Sequence, residues 1–372
     1  MAVWHGVRAV DVFFAHYPRS VPGTPFVLAP VLAHGGESPG STAPSDLPRF
    51  TLARLFTEVE LDWWLVVPLL VVTGLYLWGM WRLRLRGDHW PVGRSTAFLA
   101  GGIGVIAFAG MSGLGSYDTT MFSLHMIQHM LLAMVAPIFL ALGAPITLAL
   151  RTTPRRVRAA LLALLHSRLA RLLTFPMVGW ALYVASPFAL YFTGWYPATL
   201  DHPVLHELLH LHFLLVGSLF FWPMVGIDPL PGRQSPPFRF LILVTTLPFH
   251  AILGLSIYTQ TALIAGSHYQ GLRLDWLDPL SDQRVGGGLL WSSGELVGLI
   301  MLGVVAAQWI KASEREAVRE DRRLDRLEAA EAAAQAAAVS PSAAGAPLDT
   351  MTRPEVLPGA RPAGSATKEV QL

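Results

Sequence analysis

The chain has 372 residues, 53% hydrophobic and only 14% charged, with a mean hydropathy of +0.46, a balance that excludes an ordinary water-soluble domain and points to a polytopic membrane protein in a lipid bilayer. There is no cysteine, which rules out disulfides, iron–sulfur clusters and thiolate metal sites, so any metal must be held by His, Met, Asp or Glu. The net charge is only +2, and no basic patch is interleaved with aromatics as a nucleic-acid partner would require.

Residues 1–57 read as an extramembrane lead rich in Pro and Gly. Within it, Pro25 to Ala33 is a short apolar run ending in compact residues, the layout of a candidate signal segment to about 33. Cleavage there makes His34 the N-terminus, whose amine and imidazole together chelate copper; two prolines in the run and a weakly basic start argue against cleavage.

Seven spans follow within residues 58–311, giving an all-α fold of seven transmembrane helices. The first runs from Val59 to Trp81 around Pro68, with Trp63, Trp64, Trp78 and Trp81 at its ends, and the second from Ser95 to Met111 with small residues suited to close helix packing. The third begins near Thr119. Met121 to Leu150 would be about 45 Å of continuous helix, too long for one straight span, so a break is expected at Gly143 to Pro145. The remaining spans are Phe175 to Trp195, Pro203 to Val225, Phe238 to Ile264 and Gly287 to Ile310.

Loop charge gives an orientation. Arg82 to Arg94 holds four arginines and Arg151 to Arg171 holds six, Arg233 and Arg239 lie in the next loop of that set, and Lys311 and Arg315 open the tail. The alternate loops Ser112 to Asp118 and Tyr196 to His202 have no Lys or Arg, which places the N-terminus outside and the C-terminus in the cytoplasm. Residues 312–338 mix Arg and Glu at helical spacing and read as a cytoplasmic helical extension, while 339–372 are rich in Pro, Gly, Ala and Ser and read as a disordered tail.

This topology locates the chemistry. His125 and His129 are four residues apart on the third span, so both imidazoles leave one helix face in its outer half. His202, His206 and His210 repeat that step at the start of the fifth span, with His212 on another face. His250 lies near the middle of the sixth span, and Glu295 about two turns below the outer end of the seventh. A lone intramembrane histidine is often a packing residue, but two four-residue pairs at one depth favour a shared metal or haem site. Met126, Met130 and Met134 form a stripe that suits either core packing or Cu(I) ligation. Glu295 reads equally as a partner to a ligand histidine, a proton acceptor or a hydrogen-bonded structural acid.

His206-Glu207-Leu208-Leu209-His210 also satisfies H-E-x-x-H, the zinc-binding helix motif of metalloproteases, with Asp228, Glu295 or another histidine as nominees for a third ligand. Three specified positions in a segment rich in His and Leu make a weak motif. A haem-binding redox protein, with one axial histidine from each of two helices, is a further reading. A retinal photoreceptor is not, because the only lysines, Lys311 and Lys368, lie outside the spans.

From Asp62 to Lys311 the sequence resembles the multi-pass CtaG family of bacterial cytochrome c oxidase assembly proteins, associated with caa-type oxidases. The resemblance rests on His125-Met126-Ile127-Gln128-His129-Met130, Ala136-Pro137, Leu142-Gly143-Ala144-Pro145, His206, His210-Leu211-His212-Phe213, Gly217, Asp282-Gln283, Gly287-Gly288, Trp291 and Gly294-Glu295. It implies a non-enzymatic plasma-membrane protein that partners cytochrome c oxidase subunits and helps build an oxidase copper centre. In that light His125, His129, His206, His210 and His250 are the candidate metal ligands, with Met126, Met130, His212, Gln283 and Glu295 in support. Copper as Cu(I) is favoured, with zinc and haem as the alternative cofactors.

Overall fold

The structure, a computed structural model, describes residues 48–231 and 234–339. The candidate signal segment, His34, Arg233 and the tail from Ser340 lie outside the described residues. Every regular element among those residues is helical. Seven long helices carry the fold: α1 (Trp63–Leu85), α2 (Val92–Tyr117), α3 (Phe122–Thr152), α4 (Pro176–Tyr191), α5 (Pro203–Val225), α6 (Pro236–Thr259) and α7 (Pro279–Val339). Six of them, all but α4, are long and apolar enough to cross a membrane. Helix α4 has 16 residues, about 24 Å against a hydrocarbon layer of roughly 30 Å. The apolar run that suggests a span to Trp195 leaves the helix at Tyr191, where the Thr193 hydroxyl turns back to donate to Ala189 O and Gly194 follows.

Helix α3 breaks where its length demands. The helix pauses at Gly143 and Ala144, and Ala144 takes φ +49°, the left-handed region that a side chain rarely occupies. Neighbouring helices hold this corner: Tyr76 of α1 donates to Gly143 O at 2.9 Å, Trp90 Nε1 donates to the Tyr76 oxygen at 3.1 Å, and Phe98 stacks on Tyr76. The new helix start at Pro145 is capped from a distance. Asp228, buried after α5, accepts from Thr147 N at 2.8 Å, the Thr147 hydroxyl at 2.6 Å and Trp222 Nε1 at 3.0 Å. Removing it orphans several donors at once, so Asp228→Ala is expected to cost about 2 kcal/mol, read as a lower thermal midpoint in detergent with metal binding retained.

A second irregularity sets how α3 meets α5. Pro137 has no N–H to offer Ala133 O, and the preceding turn, Leu131–Val135, is π-helical, with Ala136 N–H bonding Leu131 O five residues back. Gly217 of α5 lies directly against this turn: a Cβ there would sit 2.0 Å from Ala133 O. Side-chain deletion at 217 is therefore what lets the two backbones approach.

The remaining contacts fix direction. His125 pairs with His206, and His129 with His210, so α3 and α5 run in the same sense, in register. Helix α4 runs opposite to α5, since Gly179 meets Leu219 O while Ser186 reaches His212. Helices α6 and α7 are also antiparallel, with Gly254 against Gly287 and Gly294 against His250. Residues 312–339 belong to a separate unit and are helical, with an Arg323–Glu320 ion pair at 3.1 Å.

Candidate metal centre

Two helices each present two histidines on one face, and the in-register packing of α3 on α5 brings the faces together. The ring centres close a four-sided figure: 3.9 Å from His125 to His129, 5.7 Å from His129 to His210, 4.6 Å from His210 to His206 and 5.7 Å from His206 to His125. Two imidazoles bound to one ion through nitrogens at about 2 Å have ring centres roughly 5 Å apart, so the 4.6 and 5.7 Å spacings suit common ligation, while His125 and His129 at 3.9 Å sit closer than that. His125 and His129 are 0% and 1% exposed, walled by Phe122, Tyr191, Tyr196 and Phe213.

Asp118, at the turn between α2 and α3, completes the group. Its Oδ2 lies 2.9 Å from His206 Nε2 and 3.6 Å from His210 Nε2, and the three residues place one ligand atom each within 4.8 Å of the others. Burial opposes ionisation of this carboxyl, but the imidazoles of His206, His210 and His125 outweigh it and hold Asp118 below the usual carboxylate range. It is an anion at neutral pH. Five buried imidazole nitrogens have no hydrogen-bond partner: both of His125, Nε2 of His129, Nδ1 of His206 and Nε2 of His210. Such a concentration of unsatisfied imidazole nitrogens in an apolar interior is costly unless something binds them. Beyond the cluster, Tyr196 and Tyr269 hydrogen-bond each other through their hydroxyls, and burial pushes both phenols up so that they stay protonated.

Residues 74–312, which contain all of these ligands, match the model of the family described as cytochrome c oxidase caa3 assembly factor (Caa3_CtaG). The chain belongs to this caa3 assembly factor family. It is similar to uncharacterized proteins of Mycobacterium bovis and Mycobacterium tuberculosis, each 38% identical over 283 residues, and to one of Mycobacterium leprae at 37% over the same length. In each case the alignment covers 74% of this chain but 43% of the relative, so the chain spans less than half the length of the curated relatives it matches. No solved structure matches.

In this caa3 assembly factor relative the other candidate residues are dispersed. His250 is buried beyond His129, its Nδ1 3.3 Å from Thr246 O and its ring 5.3 Å from Tyr183. Met126 is fully buried beside Phe122 and Gly286, Met134 lies in the core, and Met130 sits between His129 and the π-helical turn. His212 faces outward and meets Ser186 Oγ at 3.0 Å. Gln283 accepts from Ile264 N and donates to Ala262 O, which ties down the loop before α7 rather than the metal group. Glu295 is half-buried and has no polar partner among the described residues.

Of the protease nominees, Glu207 and Asp228 stand apart from the histidine group, while His125 lies against His206. Glu207 turns outward, its side chain 55% exposed and 3.6 Å from the opposite nitrogen of His210. Asp228 is committed to the α3 corner beyond the far end of α5, roughly 30 Å along the helix from His206. Two acids escape a reading of spacing alone. Asp118 is one; Asp282, which accepts from the Ser123 backbone and hydroxyl and fastens α7 to the start of α3, is the other. The one signal for Asp118 is its place as the sole charge in a loop without Lys or Arg, immediately before the histidine helix.

Proposed function

We propose that this chain is a copper-handling assembly factor for a cytochrome c oxidase, and that Asp118, His206 and His210, with His125 beside them, take up the ion. The observation that carries this reading is the set of five unpaired imidazole nitrogens beside one ionised carboxylate in an interior free of thiols. Neutral imidazoles bind Cu(I) without needing a proton to leave, and the carboxylate balances charge that the apolar walls cannot. Four rings packed 3.9 to 5.7 Å apart leave no slot for a porphyrin, which weighs against haem.

The same reading places the chain in a bacterial plasma membrane with seven crossings. Helices α3 and α5 run in one sense and α4 runs against α5, which supports a recrossing between Thr152 and Pro203 through the 16-residue α4. Loop arginines put the Asp118 end outside, the side from which an oxidase copper centre is loaded. The role is non-catalytic: the ion is cargo, held by ligands that can be exchanged for those of a client subunit.

Elemental analysis with an absorption spectrum on purified protein tests this. Wild type is expected to retain copper without a haem Soret band, and His125→Ala and His206→Ala each to lose ion from the cluster. Zinc in wild type, a Soret band, or copper at the same level in all three samples overturns the proposal.

A further inference from the structure

The five candidate histidines do not converge on one point. His125, His206 and His210 gather around Asp118, whereas His129 and His250 line a separate cavity of about 10 Å³ one turn deeper, together with Met130, Tyr183 and Tyr191. That volume holds the centre of one water-sized particle. No carboxylate lines it.

We propose that this cavity is a second ion station, which binds a single cuprous ion through His129, Met130 and His250, so that the protein holds two ions in file. The inference rests on the copper-handling reading above. Three features of the cavity support it. First, the imidazoles are oriented as ligands are: His250 Nδ1 is 3.3 Å from Thr246 O and donates to it, and His129 Nδ1 is 3.0 Å from the Tyr191 oxygen. The Thr246 carbonyl can only accept, so His250 carries its proton on Nδ1 and its lone pair on Nε2, the arrangement in which an outer hydrogen bond fixes the tautomer of a metal-binding histidine; His129 takes the same tautomer when its Nδ1 donates to the Tyr191 oxygen. Second, His129 Nε2 and the Tyr183 hydroxyl are buried without a partner, although both residues line the cavity. Third, the donor set is two neutral imidazoles and a thioether among otherwise apolar walls. It offers no negative charge, so a divalent ion would stay uncompensated, while a soft monovalent ion is well matched.

The two stations adjoin. The His125 ring at the Asp118 end is 3.9 Å from the His129 ring, so an ion can pass by exchanging one imidazole for the next, with no change of oxidation state and no proton lost. The outer station carries the carboxylate and accepts an arriving cation. The deeper station, without a charge of its own and lined mostly by apolar and aromatic side chains, keeps it reduced.

The test is to load the purified full chain anaerobically with cuprous ion against a competing chelator, then to count bound copper and record its X-ray absorption. Wild type is expected to bind two equivalents with a sulfur scatterer on one of them. Met130→Leu, which preserves volume, and His250→Ala are each expected to leave one equivalent without sulfur; His206→Ala is expected to leave one equivalent with it. One equivalent in wild type, unaffected by Met130→Leu and His250→Ala but lost in His206→Ala, overturns the second station and leaves the copper-handling reading intact. No copper in wild type overturns both.

Discussion

Gly217→Ala is expected to unfold the metal centre from a distance. The added methyl would lie 2.0 Å from Ala133 O, 2.7 Å from its carbonyl carbon and 3.0 Å from its Cα, all of them backbone atoms that no rotamer change can move. Either α5 moves away from α3 or the π-helical turn at Leu131–Val135 is rebuilt, and overpacking of this kind costs ~3 kcal/mol or more. Position 217 is two turns along α5 from His210, so an outward shift there widens the spacing between the two histidine pairs. The expected result is a large fall in thermal midpoint together with loss of retained copper. Gly303→Ala serves as the control, because a Cβ at 303 meets nothing within 4 Å and alanine favours the helix. If Gly217→Ala melts with wild type and keeps its copper, the close approach of α5 to Ala133 is not what registers the site.

That dependence on one glycine explains what could be read from the chain and what could not. Four-residue spacing places His125 with His129, and His206 with His210, on single helix faces, because helical periodicity is a local property. Length alone exposes the break at Gly143 to Pro145, and the structure puts it there. Whether the two faces meet is decided elsewhere, by Pro137 releasing Ala133 O and by Gly217 leaving room beside it, and no pattern within either histidine pair encodes that pairing. Asp118 is hidden for the same reason: it meets His206 across 88 positions of sequence, from a turn whose path depends on the finished bundle. His250 lines a cavity with His129 rather than joining the group at Asp118, and position along a span says nothing of that. In α4, hydropathy ran past the end of the helix, since Phe192 and Trp195 are apolar while Thr193 and Gly194 between them end the helix.

The sharpest expected difference between two nearly identical side chains is at Asp118. In Asp118→Ala, His206 Nε2 loses its buried partner and the outer station loses the buried carboxylate that lies against both His206 and His210. Breaking a buried pair while leaving one member in place costs roughly 3 kcal/mol, and the metal loses a ligand as well, so both the melting temperature and the bound ion should fall. Asp118→Asn separates these effects. The amide oxygen still accepts from His206, and the side chain has the same volume, so the fold is expected to survive with a midpoint near wild type. What disappears is the negative charge. Copper affinity at the outer station should then drop about 100-fold, a change that loss of an outer hydrogen bond to a ligand histidine reaches only at its upper limit. The affinity is read by chelator competition on the two variants side by side with wild type. An asparagine variant that binds as tightly as wild type would make Asp118 only a brace for His206, with the imidazoles holding the ion by themselves. One that melts as early as the alanine variant would mean that the charge of Asp118, rather than its hydrogen bond, holds the turn between α2 and α3 in place.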